Sequence, residues 1–199
     1  MALSTIQCGR QAPPPATAVA AAEDADALTP VLTVQELMEH VIDPTADWIF
    51  DAAVIDVSAA GVVDRTPVSD EDWLRVERGA LLLAESANLL KMPRRVAPPG
   101  TKATVVEPGK PSPELEPEVI QAMIDKDRPT WNRHADRLRQ AALDALPAIR
   151  SHDAARLFDI GDKVDNACES CHLEYWYPGD KPLVLENRQK VASFNTPRK

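Results

Sequence analysis

The sequence predicts an all-α protein: an antiparallel four-helix bundle with a disordered N-terminal leader and a long Pro-rich crossover loop. Three observations carry that expectation. Four segments repeat apolar residues at spacings of three and four. No segment alternates apolar and polar residues for long enough to suggest a sheet. Seven glycines and 5% aromatics sit in a composition rich in alanine and leucine, which favours helices. At 199 residues and 44% hydrophobic, the chain can bury one good core rather than two.

Residues 1–30 are Ala/Pro-rich and poor in large apolar side chains, so a disordered tether is expected. The first helix is expected over 33–58. Val34, Leu37, Val41, Trp48 and Ile55 fall at heptad spacing, with Met38, Ile42, Ile49 and Ala52 widening the stripe. Pro44 cannot donate to the His40 carbonyl and clashes with it, so a kink or restart is expected there, with Asp43 as a cap. The second helix should run from Asp70 to about Lys91. It is opened by an acidic capping box at Ser69–Asp72, stopped by Pro93, and striped by Trp73, Val76, Ala80, Leu83, Ala87 and Leu90.

Residues 93–117 contain seven prolines and read as a long crossover loop, with a short helical turn near 118–127. The third helix is expected from near Pro129 to about Pro147, with Trp131, Ala135, Leu138, Ala142 and Ala145 on one side. The fourth should open at Ser151 as N-cap and continue to about Trp176, where Pro178-Gly179 ends it. Three parts follow: a leader over 1–30, a helical domain over 31–177 and a loose tail over 178–199. Trp48, Trp73 and Trp131 are expected as core anchors.

A net charge of −9 and a pI near 4.9 argue against nucleic acid as a partner. They suit instead a partner protein that offers a basic patch. No apolar run approaches the length of a transmembrane segment. The opening residues lack the basic and apolar regions of a signal peptide, so an exported form is expected to have lost one. Cys8-Gly9 followed by a Pro/Ala spacer resembles the acylated end of a bacterial lipoprotein. Thr5-Ile6-Gln7 is a poor lipobox, however, and a free thiol in a disordered leader is the simpler reading.

The chemistry concentrates in Cys168-Glu169-Ser170-Cys171-His172. Leu157, Ile160/Gly161, Val164, Cys168, Cys171 and Tyr175 form one stripe spaced by three and four, so the thiols continue the inward seam of the last helix. His172 lies at i+4 from Cys168. Gly161, costly within a helix, is expected where a backbone or a ring approaches closely.

Several readings compete for this turn. A structural zinc needs four ligands, usually two such pairs, and there is no second Cys pair. A redox dithiol wants its first Cys at a helix N-terminus in a βαβ context, whereas this pair lies near a helix C-terminus. Cysteines that merely pack are a further reading. C-x-x-C-H is also the attachment signature of c-type haem, in which both thiols add to vinyl groups and the adjacent imidazole binds iron. The inward stripe of a bundle helix favours that reading.

With the motif at the end of the last helix, in DIGDKVDNACESCHLEYWY, and Tyr175 three residues beyond the histidine, the chain resembles the class II c-type cytochromes: the cytochrome c-prime family and its low-spin relatives. The resemblance covers roughly residues 33–177. It implies one covalently bound haem c, with Cys168 and Cys171 as thioether donors and His172 as proximal iron ligand. In low-spin members a methionine of the first helix completes the coordination. In five-coordinate members an apolar residue covers the iron and leaves room for small gases.

Met38 stands near the start of the first helix and is the candidate distal ligand, with ordinary core filling as its other reading. His40 is a weaker candidate, reachable if the Pro44 kink rotates that turn. Met92 and Met123 are weaker again. His134, among Asn132, Arg133, Asp136 and Arg137, is expected on a solvated face. His152, on the same helix as His172 and about 30 Å away, cannot share its iron. Arg94, Arg95, Arg133 and Arg137 are candidates for pairing with haem propionates.

The function expected from the resemblance is a non-enzymatic, single-electron carrier. A five-coordinate haem protein that binds nitric oxide or carbon monoxide is the first alternative, and a cofactor-free helical interaction module is the second. Covalent haem attachment in bacteria takes place outside the cytoplasmic membrane, so a periplasmic location is implied. Members often pair through their first two helices, which extends to a possible homodimer here.

Overall fold

The computed structural model describes residues 28–53, 55–58, 61–104 and 112–186. The expected leader, apart from its last few residues, and the end of the tail lie outside these residues, as does Cys8. The fold class is all-α. The elements run α1 (Val34–Leu37), a π-helical turn (Met38–Ile42), α2 (Asp43–Phe50), a hairpin of β1 (Ile55–Ser58) and β2 (Gly61–Asp64), α3 (Asp70–Leu89), α4 (Pro117–Lys126), α5 (Arg128–Arg150) and α6 (Ala154–Tyr175). None of the described helices is long and apolar enough to cross a membrane.

The first helical segment departs most from expectation. Thr33 caps α1 and closes a capping box with Glu36. The wide turn then adds one residue before α2. That residue moves the buried face on by one: Val34 and Leu37 are followed inward by Ile42, Ala46, Ile49 and Ala52, while Val41 and Trp48 are only half-buried. The helix does not restart at Pro44: Leu37, Met38, Ile42 and Asp43 all keep right-handed helical backbone, so it runs on through the wide turn. Asp43 therefore lies inside the helix rather than capping it, and Ile42 before it makes no side-chain cap bond. Helix also stops at Ala53, short of the expected 58. Ile55-Asp56-Val57-Ser58 alternates with β-branched residues and pairs antiparallel with Gly61–Asp64.

The later elements follow their caps. Ser69 and Asp72 close the anticipated capping box on α3. The expected turn near 118–127 is a full helix, α4, with Pro117 in its first turn. α5 starts behind the Asp127 cap and runs through Pro147 to Arg150. Asp153, not Ser151, caps α6 by accepting from the Arg156 amide at 3.0 Å. His152 therefore lies in the turn before α6, at φ 53°, stacked on Trp73 with ring centroids 4.8 Å apart.

α3 packs chiefly on α5, α5 on α6, and α2 on α3. At one end of the α3–α5 pair, Trp131 donates its indole N–H to the Leu90 carbonyl at 2.8 Å and Lys91 pairs with Asp136. At the other end Arg150 pairs with Glu77 at 2.7 Å. The Pro-rich segment is tied in where it passes α1: the Val34 and Gln35 amides donate to the carbonyls of Arg95 and Val96. α2 and α3 approach closely at Gly79, where a Cβ would sit 3.0 Å from both the Thr45 carbonyl oxygen and the Trp48 Cβ. At Gly161 a Cβ would meet no protein atom within 4 Å, so the close approach of another backbone expected there is absent.

Candidate functional site

A cavity of about 230 Å³ lies between α2, α5 and α6. Cys168, Cys171 and His172 line it from α6, Met38 and Ile42 from the wide turn, and Phe50 from the end of α2. The sequence-predicted motif and the leading distal candidate thus line one cavity. All four of those side chains are half-buried. His40 is exposed and is not among the lining residues. Neither Met92 nor Met123 lines the cavity.

α6 presents the motif because its inward stripe is continuous. Leu157, Ile160 and Val164 are buried below it, and Tyr175 is buried beyond it. Tyr175 packs edge-on against Trp131 at 5.2 Å. After α6 the chain turns back: the Trp176 and Tyr177 amides both donate to the His172 carbonyl. Their rings stand 6.1 and 5.7 Å from the imidazole, and the Tyr177 hydroxyl donates to Glu169 at 2.9 Å.

Burial pushes both thiols up to about 12, the charge of Asp165 adding to the effect at Cys168. Burial also lowers His172, against the opposing pull of Glu169, Asp43 and Asp165. At neutral pH the donor set is therefore two thiols and a neutral imidazole. A reactive dithiol needs a depressed pKa, which neither cysteine has. Among the described residues no group of three or more His, Cys, Asp or Glu is arranged to hold a metal ion, so a four-ligand zinc site has no ready ligand set there. A neutral imidazole, two unionised thiols and an apolar wall do fit haem c. The cavity falls a little below the roughly 300–1,000 Å³ of ordinary small-molecule sites, so a porphyrin there requires the open mouth as well as the interior.

Two features of the site were not anticipated. His134, expected on a solvated face, is 7% exposed and lines the cavity, with Nδ1 3.4 Å from the Ser170 hydroxyl and its ring edge-on to Tyr175 at 5.8 Å. Burial, and then the charge of Arg137, lower its pKa. Its place three residues after Trp131 and one before Ala135 put it beside the inward stripe, and that spacing was the available signal. The second feature is the mouth. None of Arg94, Arg95, Arg133 and Arg137 lines the cavity. Arg94 instead donates to the carbonyls of Leu32 and Leu89. The mouth carries carboxylates: Asp43, Asp47 and Asp165 are exposed on it and Glu169 is half-buried. Burial raises Asp43, opposed by nearby His172.

No family model matches the chain, and no curated protein or solved structure matches it.

Proposed function

We propose that the protein is a c-type cytochrome related to the class II family, with one haem c attached through Cys168 and Cys171. His172 would be the proximal iron ligand and Met38 the distal one. One observation carries the reading: the two thiols, the imidazole and the thioether of Met38 line a single cavity. The haem would supply a ferrous/ferric couple, and a Met/His pair gives a higher potential than two histidines. The chain's own contribution is to hold the imidazole neutral by burial, to flank it with Trp176 and Tyr177, and to restrict water through Ile42, Ala46 and Leu138.

In this reading the wide-turn segment with α2, together with α3, α5 and α6, forms an antiparallel four-helix bundle. The crossed end contacts of α3 and α5 support that sense. The protein would serve as a periplasmic electron carrier for partner proteins rather than as an enzyme. Mass spectrometry of the tryptic fragment containing Cys168 and Cys171, from a host competent in haem attachment, tests the reading. The expected result is the added mass of one haem, with colour retained after acid–acetone extraction. An unmodified fragment sinks it.

A second reading, a five-coordinate gas binder, is favoured by the apolar side chains of Ile42, Ala46 and Phe50 beside Met38 on the same wall. Narrow low-spin bands indifferent to carbon monoxide support the carrier. A broad Soret band that shifts with carbon monoxide supports the gas binder.

A further inference from the structure

Beside the cavity mouth lies a shallow surface hollow lined by Ile49, Phe50, Phe158, Gly161, Asp162 and Asp165. Phe50 and Asp165 line both the hollow and the cavity, so the two adjoin. The floor is apolar, and Phe158 is 50% exposed on it. Gly161 keeps it open, since nothing stands within 4 Å of where its Cβ would be. Phe158, exposed, and Phe50, half-buried, give the hollow an apolar centre beside the cavity that a partner's face could cover.

The charge around it has one sign. Between Arg10 and Arg65 the sequence has no lysine or arginine, so α1, the wide turn and α2 bring carboxylates alone. On α6, Arg156 and Lys163 fall on the side of the helical wheel away from Phe158, Asp162 and Asp165, and Lys163 lines a separate hollow with Arg137. No ion pair among the described residues involves Asp43, Asp47, Asp162 or Asp165. An apolar centre within an unneutralised acidic rim is the complement of a cationic protein face. A second copy of this chain would set carboxylate against carboxylate.

We infer that this hollow is the docking surface for a one-electron carrier protein whose redox face rings an apolar centre with lysines or arginines. The inference rests on the haem reading and places electron exchange at the mouth bounded by Phe50 and Asp165. Docking there brings the partner to the open side of the cavity, and the acidic rim speeds encounter with a cationic protein.

The test uses the full, haem-loaded chain and a lysine-rich class I cytochrome c as probe, with electron transfer followed by stopped flow. The expected second-order rate falls by roughly tenfold or more as salt rises from about 0.01 M to about 0.15 M, over which the Debye length shrinks from about 30 Å to about 8 Å. Asp47→Asn with Asp162→Asn should slow the low-salt rate several-fold. Glu71→Gln with Glu85→Gln, the same charge change on exposed positions of α3, should leave it within about twofold. Phe158→Ser should slow the rate at both salt concentrations. Equal slowing by the two charge pairs, or a rate indifferent to salt, overturns the docking surface and leaves the haem reading standing. A chain that carries no haem overturns both.

Discussion

Gly79 and Gly161 sit in comparable helical backbone, in α3 and α6, yet the same substitution should move stability in opposite directions. Replacing an interior helical glycine with alanine gains roughly 0.8–1 kcal/mol from backbone entropy. At Gly161 the new methyl meets nothing within 4 Å, so the expected gain is close to that full amount. At Gly79 it would lie 3.0 Å from the Thr45 carbonyl oxygen and 3.0 Å from the Trp48 Cβ. Neither atom is the free end of a flexible side chain. Thr45 is also held, its hydroxyl donating to the Val41 and Ile42 carbonyls at 2.7 and 2.9 Å. Separating α2 from α3 to admit the methyl costs about 1–3 kcal/mol, so Gly79→Ala should lose up to about 2 kcal/mol net. With a urea slope near 2 kcal/mol/M, the midpoint should rise by about 0.5 M for Gly161→Ala and fall by up to about 1 M for Gly79→Ala. Two shifts of the same sign would refute the contact geometry between α2 and α3.

Ser69→Ala removes the acceptor for the Asp72 amide at the start of α3 and should cost about 1 kcal/mol in urea denaturation. Met38→Leu in haem-loaded protein should replace narrow low-spin bands with a high-spin spectrum that shifts on adding carbon monoxide, while His40→Ala leaves the spectrum unchanged. His134 is depressed below its ordinary 6.5 by burial, so the unfolded chain takes up its proton first on acidification. Stability should therefore decline as pH falls through about 6.5, by at most about 1.4 kcal/mol per pH unit for this group. In His134→Leu that part of the slope, measured by urea denaturation at stepped pH, should vanish.

Caps and stripes made α3, α5 and α6 legible. Ser69–Asp72 reads as a capping box, and the inward residues of α6 keep one phase from Leu157 to Tyr175. The first helix misled because heptad spacing assumes a constant turn, and one extra residue before Asp43 made Ile42 and Ile49 the buried pair in place of Val41 and Trp48. A four-residue alternation was too short to register against the longer helical pattern, and the first strand of the hairpin, Ile55–Ser58, was read as helix. At the site, local spacing put Cys168, Cys171 and His172 on one inward turn, and all three line the cavity. His134 was misjudged because charged neighbours suggested solvent, although Trp131 one turn earlier is 1% exposed. The acidic mouth could not be read in advance, since it joins carboxylates more than a hundred positions apart in the chain.

The wide turn at Met38–Ile42 also bears on which length changes this chain can absorb. Its surplus residue lies between two apolar ladders, one ending at Leu37 and the other beginning at Ile42. Deleting Val41 would let the loop of helix tighten to ordinary pitch while both ladders keep their inward aim. An equal deletion inside α3 or α6 has no such slack and would rotate everything beyond it by about 100°. The stretch that carries Met38 is thus where the protein could shed a residue with least harm, and where that side chain could be re-aimed within the cavity.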